Sequence, residues 1–295
     1  MRQWSLRQAP SFALACALAL CGACGSEKPD TAPRVSLGVN PSQAVAEGGS
    51  PIEFEYRVSM MPGATPLQGT YWVFVHLLDE SGMLLWTDDH ALPSPPPPWG
   101  TPPMAYRRTM FVPRIPYTGR VRTEAGLFSK DDGSRVAVAG TDRGNHAYEF
   151  PSFEMRPPSN AVFVSFGEGW HGAERDAGEA AREWRWSSGA ARLSFRTPGQ
   201  SALLWIELDQ PVSAVGPQTV ELRAGSDLLA SIRVVPGARR VERVPLPAAR
   251  LGSAATVDVD LHVQPTFVPA TTASVVSQDT RELGVRVFNV HVGFP

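Results

Sequence analysis

Between residues 52 and 58 the chain alternates without a fault: Ile52, Phe54, Tyr56 and Val58 are separated by Glu53, Glu55 and Arg57. A period of two marks a strand with one buried and one wet face. Residues 71–78 are apolar on both faces except at His76, which predicts a central strand; Ser81-Gly82 then supplies a turn before 83–86. Segments 106–112, 121–128, 135–139 and 146–155 continue the series, each bounded by Pro, Gly or Asp. After Arg156-Pro157-Pro158-Ser159 a second set begins, with strand composition at 161–166, 183–186, 191–195, 202–208, 219–223, 228–235, 256–263 and 282–292. Only 174–182, rich in Ala, Glu and Arg, reads as a helical turn or two. Short strands spaced by turn signals, with almost no helical period, predict an all-β chain of two tandem antiparallel β-sandwiches, spanning 35–156 and 160–295. The segment 90–103, with Pro95-Pro96-Pro97-Pro98-Trp99, is predicted to cross between strands as extended polyproline.

The amino terminus follows a different pattern. Arg2 and Arg7 precede an apolar run from 11 to 20 and the small residues Gly22 and Ala23, which is the layout of a secretory signal. All three cysteines lie within the first 24 residues, so the remainder folds without disulfides or thiolate metal sites. The stretch Leu20-Cys21-Gly22-Ala23-Cys24 resembles the bacterial lipoprotein box, with Cys21 where that box usually carries Leu. The resemblance implies cleavage before Cys24, acylation of Cys24 and a membrane anchor, followed by a tether over 24–34. Gly25 rather than Asp after the cysteine implies outer-membrane sorting, with the body facing periplasm or cell surface.

Charge narrows the partners. The chain carries −2, and loss of Arg2 and Arg7 with the signal takes it to −4, so nucleic acid is not an obvious partner. Sequence signatures of the common enzymes are missing: no Gly-x-Ser-x-Gly elbow, phosphate loop, His-Glu-x-x-His or dinucleotide fingerprint. The chain is therefore read as non-enzymatic and cofactor-free. Asp258, Asp260 and His262 share one strand face, but neighbours two apart stand roughly 6.5–7 Å from each other, awkward for one metal. A solvated face explains them better. Asp88-Asp89-His90 reads as turn chemistry, with a Ca²⁺ site or a cap on the proline segment as alternatives. Glu174, Glu183, Glu207 and Glu282 are the carboxylates a glycan-active enzyme would draw on, although sequence gives no spacing between them in space.

The most suggestive chemistry is aromatic. Gly169-Trp170-His171-Gly172 is followed by Glu174 and by Trp184-Arg185-Trp186, whose tryptophans share a strand face. Sugar rings pair an apolar C–H face with a border of hydroxyls, so an aromatic platform flanked by carboxylate and guanidinium suits them. Trp170, Glu174 and Arg281 are the candidate ligand-binding set, and Trp186 is the candidate for core packing. Residues 161–294, with these motifs, Phe267-Val268-Pro269 and the run from Arg281 to Phe288, resemble an extracytoplasmic sandwich module of bacterial envelope proteins, some of them glycosyltransferase-like membrane proteins. In general plan they also resemble galactose-binding-like jelly rolls. Residues 71–128, with Phe74-Val75-His76, Asp89-His90, Phe111-Val112-Pro113 and Ala125-Gly126-Leu127-Phe128, resemble an immunoglobulin-like module of surface proteins. The resemblances imply an envelope protein that binds or organises, with glycans or envelope proteins as partners. The rival readings are an assembly factor that recruits partner chains through sheet edges and a glycan-active enzyme using carboxylates.

Overall fold

Ile52, Phe54, Tyr56 and Val58 all turn into one hydrophobic core, where they meet Val73, Val75 and Leu77 from a second sheet. The computed structural model describes residues 32–93, 103–158, 162–176, 182–273 and 275–294. Cys24, the segment read as a secretory signal, and the proline run therefore lie outside the described residues. The first sandwich comprises β1 (Val35–Pro41), β2 (Val45–Glu47), β3 (Pro51–Met60), β4 (Tyr71–Leu78), β5 (Leu84–Thr87), β6 (His90–Ala91), β7 (Met104–Phe111), β8 (Gly119–Ser129), β9 (Arg135–Val136) and β10 (Tyr148–Arg156). One sheet has the order β1-β3-β7; the other has the order β2-β10-β8-β4-β5, with β6 on β4 and β9 on β8. Pairing is antiparallel throughout except between β2 and β10.

The second sandwich comprises β11 (Val164–Phe166), β12 (Glu174–Arg175), β13 (Glu183–Trp186), β14 (Ala190–Arg196), β15 (Ala202–Asp209), β16 (Gln218–Ala224), β17 (Asp227–Val234), β18 (Arg240–Leu246), β19 (Thr256–Gln264) and β20 (Arg286–Gly293). Its sheets run β11-β14-β19-β16-β17 and β12-β13-β20-β15-β18, and they close over Leu193, Leu204, Ile206, Leu222 and Val259. The fold is all-β, and the only helical turns among the described residues are three short 3₁₀ turns. Neither sheet of one sandwich contains a strand of the other, although Pro33–Pro295 forms a single compact unit.

Three local readings change. His90–Ala91, taken as the start of the polyproline stretch, is strand β6 on β4. It rejoins the ladder after a step in which Asp89 Oδ1 accepts from Val75 N (3.0 Å) and Asp88 N donates to Val75 O (3.0 Å). Of the segment 174–182 expected to turn helically, 177–181 lie outside the described residues, and its start is strand β12, where pairing of Glu174 with Trp184 and Arg175 with Glu183 outweighs a weak helical propensity. Strand β18, unmarked in the sequence, contains Pro245; it lies at a sheet edge, where a missing N–H is tolerated.

The first sandwich is crossed end to end. Val35 opens β1 opposite Met60, whereas Arg156 closes the first sandwich beside Gly48, near the other end of β3. In the second, the chain enters where Val162 bridges Val292, at the end of β20 away from Arg286.

Candidate functional site

Strand β15 alternates between two environments. Leu204, Ile206 and Leu208 face the core; Trp205, Glu207 and Asp209 face outward. Yet Glu207 and Asp209 are only 8% and 7% exposed, and carboxylates so placed need partners. Arg286 grips Asp209 with two bonds, Nε to Oδ1 at 2.8 Å and Nη2 to Oδ2 at 2.7 Å. Glu207 accepts from Arg239 Nε (2.7 Å) and from Asn289 Nδ2 (2.6 Å).

A bulge in β20 makes this arrangement possible. Val287 pairs with Leu208 and Asn289 with Glu207, so Phe288 is the extra residue. Phe288 and Asn289, though consecutive, both serve the outer face, which is how bulges re-aim side chains. Arg239 lies 4.0 Å over the Phe288 ring, and Arg286 lies 5.3 Å from Phe288 and 4.9 Å from Trp184. The Trp184 and Phe288 rings are 6.1 Å apart. The indole Nε1 of Trp184 is buried without an acceptor among the described residues. The outer face of β13, β20 and β15 is thus a row of aromatic rings and paired charges, neither a bare apolar face nor a solvated one.

Of the residues singled out in the sequence, Glu174 and Arg281 come together on this row. Glu174 stands opposite Trp184 and so shares its face. Its Oε1 accepts from Arg281 Nη2 at 2.8 Å. The same guanidinium is held by Asp279, with Nη2 to Oδ2 at 2.6 Å and Nε to Oδ1 at 3.0 Å. Asp279 carried no signal in the sequence beyond its place two residues before Arg281. Hydrogen bonds from the Arg281 side chain and backbone pull the Asp279 carboxyl down to about 2, and Asp279 in turn raises the Arg281 guanidinium. Asp279 and Arg281 are therefore both charged at any ordinary pH.

Trp170 lies on the other side of the strand. It bridges Ser187, whose side chain is fully buried and bonds Val285 N on the inner side, while Trp184 and Trp186 point outward. Its indole N–H donates to Arg192 O at 2.7 Å, its ring meets Phe166 edge-on at 4.9 Å, and it packs against the second core. Trp186 is buried against Phe267 and Leu283 in a small satellite cluster. The ring that accompanies Glu174 and Arg281 is therefore Trp184.

Asp88, His90, Asp258 and Asp260 are satisfied internally. Asp88 receives Arg108 at 2.9 and 2.7 Å and the Tyr56 hydroxyl at 3.2 Å. His90, buried beside it, donates from Nδ1 to Asp88 O (2.7 Å), which leaves Nε2 to accept from Tyr106 OH (2.9 Å). Burial, reinforced by Arg108, lowers the His90 pKa, and burial raises those of Tyr56 and Tyr106. Asp258 and Asp260 are taken up by Ser194 and Arg192 across the strand pair. Among the described residues no group of three or more His, Cys, Asp or Glu could hold a metal ion.

No protein-family description matches the chain, and no curated protein does. Solved structures similar to it include the CARDB domain of a Pyrococcus furiosus protein in complex with di-metal ions, at 12% identity over 43% of this chain and 96% of that one, with a TM-score of 0.28. A carbohydrate-binding module of the β-sandwich superfamily matches at 9% identity over 90% and 99% of the two chains, with a TM-score of 0.25. A CBM36 module in complex with calcium and xylotriose matches at 10% identity over 45% and 93%, with a TM-score of 0.25. At these scores the likenesses say nothing about a ligand, and that question rests on the geometry of the site.

Proposed function

We propose that this chain is a lipid-anchored protein of a bacterial cell envelope with a non-catalytic binding role, its two domains being 35–156 and 160–295, and that the outer face of β13, β20 and β15 receives glycans. The observation that carries the reading is the pairing of aromatic rings with pre-oriented carboxylate and guanidinium groups on one sheet face: Trp184 and Phe288 with Asp209–Arg286, Glu207–Arg239 and Glu174–Arg281. A sugar offers a flat C–H face and adjacent hydroxyls that both donate and accept. Ion pairs already fixed on the protein present donor and acceptor edges side by side without loss of side-chain freedom on binding. The carboxylates are all engaged by guanidinium groups, which favours recognition over acid-base chemistry.

A glycan array followed by titration tests the site. Trp184→Ala is expected to weaken binding by about 1–2 kcal/mol, the scale of a lost aromatic contact, while the protein stays folded. Absence of any glycan binding by the wild type rejects the reading in favour of an envelope-protein partner. The anchor is tested separately: wild type enters the detergent phase on partitioning, and Cys24→Ala does not.

A further inference from the structure

A cleft of about 560 Å³ opens on the other sheet of the second sandwich, at the end where Val162 bridges Val292. That volume falls within the usual span of small-ligand sites, about 300–1,000 Å³. Its walls come from three places. On β14, Ala191, Leu193 and Phe195 fill the core, so Ser194 and Arg196 turn outward. On β11, Val164 pairs with Phe195 and Ser165 with Ser194; the same register carried one residue further sets Phe163 opposite Arg196, with Thr256 on the far side of Arg196. Phe294 joins them from beyond the end of β20.

Two features of this cleft serve no packing purpose. Phe163 is 83% exposed and Phe294 45%, and a phenyl ring left in water forgoes about 1.5–3 kcal/mol of burial. Exposed rings gathered at one cavity mark an interaction surface. Arg196 is exposed too, and among the described residues no carboxylate pairs with it. Asp258, in the next outward pair of the ladder, is taken by Ser194 Oγ at 2.6 Å and faces Arg192 at 3.9 Å. We infer that this cleft binds an anionic sugar, a uronate whose ring lies against Phe163 and Phe294 and whose carboxylate pairs with Arg196. The site is separate from the outer face of β13, β20 and β15 and stands without it. Both parts of the ligand follow from the walls: the phenyl rings suit the C–H face of a pyranose, and the free guanidinium suits a carboxylate. The Thr256 hydroxyl lines the same cleft and suits a sugar hydroxyl. An acyl chain fits poorly, because each CH₂ gains only where water is excluded and the rim here is open.

The test uses the whole protein at low salt and neutral pH with three probes: an oligogalacturonate, the same oligomer methyl-esterified, and laurate. Calorimetric titration should show the oligogalacturonate binding tightest, with its lead over the ester closing as salt rises. Arg196→Gln should weaken the acid about three- to fivefold, the yield of one exposed charge pair, and the ester far less. Phe163→Ala should weaken both about two- to tenfold, the span of one aromatic contact. Both side chains are exposed, so the variants should melt as the wild type does. Equal binding of acid and ester, binding of neither, or preference for laurate overturns the inference. So does a loss of uronate in Trp184→Ala that Arg196→Gln does not show, which would move the sugar to the other face. Self-association of the wild type that Phe163→Ala abolishes would give the cleft to a second copy of the chain, and overturns it as well.

Discussion

Replacing Trp170 by Ala separates a ring that holds the fold from the ring proposed to meet a ligand. Three contributions are removed. The hydrogen bond to Arg192 O is worth about 1 kcal/mol, and no orphan is left behind, because the same carbonyl accepts from Gly167 N at 2.9 Å. The edge-on contact with Phe166 is worth about 0.5–1.5 kcal/mol. Partial burial against the second core adds about another 1 kcal/mol. Trp170→Ala is thus expected to cost about 2–4 kcal/mol, below the range of a fully buried tryptophan, and to lower the melting temperature by about 5–15 °C for a protein of this size. Calorimetry and urea titration measure the loss; glycan titration well below the transition should show affinity unchanged. Trp184→Ala should give the converse weighting, with the binding defect larger than the stability defect. A Trp170→Ala protein that melts like wild type yet loses its glycan would refute the assignment of Trp170 to the inner face.

Acid should destabilise the first sandwich through His90. Its folded pKa lies below the ordinary 6.5, so above that value both folded and unfolded states are neutral. As pH falls through 6.5 toward the folded value, the unfolded chain takes up a proton that the native state refuses, and stability is lost. Urea midpoints at pH 7.5 and 5.5 should therefore differ for wild type and differ less for His90→Gln; equal slopes would dismiss His90 as the source. Gly126→Ala should cost about 1–3 kcal/mol or more, since the added Cβ would stand 2.5 Å from His146 O and 2.6 Å from the Phe74 ring. The loop above it, with Asn145 and His146 both at φ 52°, has little freedom to yield; an unchanged melting temperature would show that it does.

Strand identity was legible wherever burial follows a simple period. The alternation of 52–58 is β3 facing its core, and the two-faced apolar run of 71–78 is β4, lying between β8 and the β5 and β6 strands. Legibility failed where one interaction replaces another. The side chain of Asp89 substitutes for a backbone acceptor and hides β6; Pro245 disguises β18; pairing recruits Glu174 into a sheet against its local preference. For the site, Glu174 and Arg281 could be chosen by chemical type, and the structure pairs them. The partner ring could not be chosen, because sequence does not say which face of a short irregular strand Trp170 takes. Phe288 and Asn289 were hidden more deeply: a one-residue bulge breaks the alternation that would have assigned them to opposite faces.

The end-to-end passage of the chain through the first sandwich has a mechanical consequence. A load transmitted between residue 35 and residue 156 runs along β1 into β2, whose residues pair parallel with the end of β10 from Val45–Glu154 to Glu47–Arg156. Pulled from opposite ends, two parallel strands slide along each other, so the evenly spaced bonds between them are loaded together in shear and do not open one after another as in peeling. Under the proposed tether at the amino end and ligand on the second sandwich, tension would meet this strand pair in its more resistant direction.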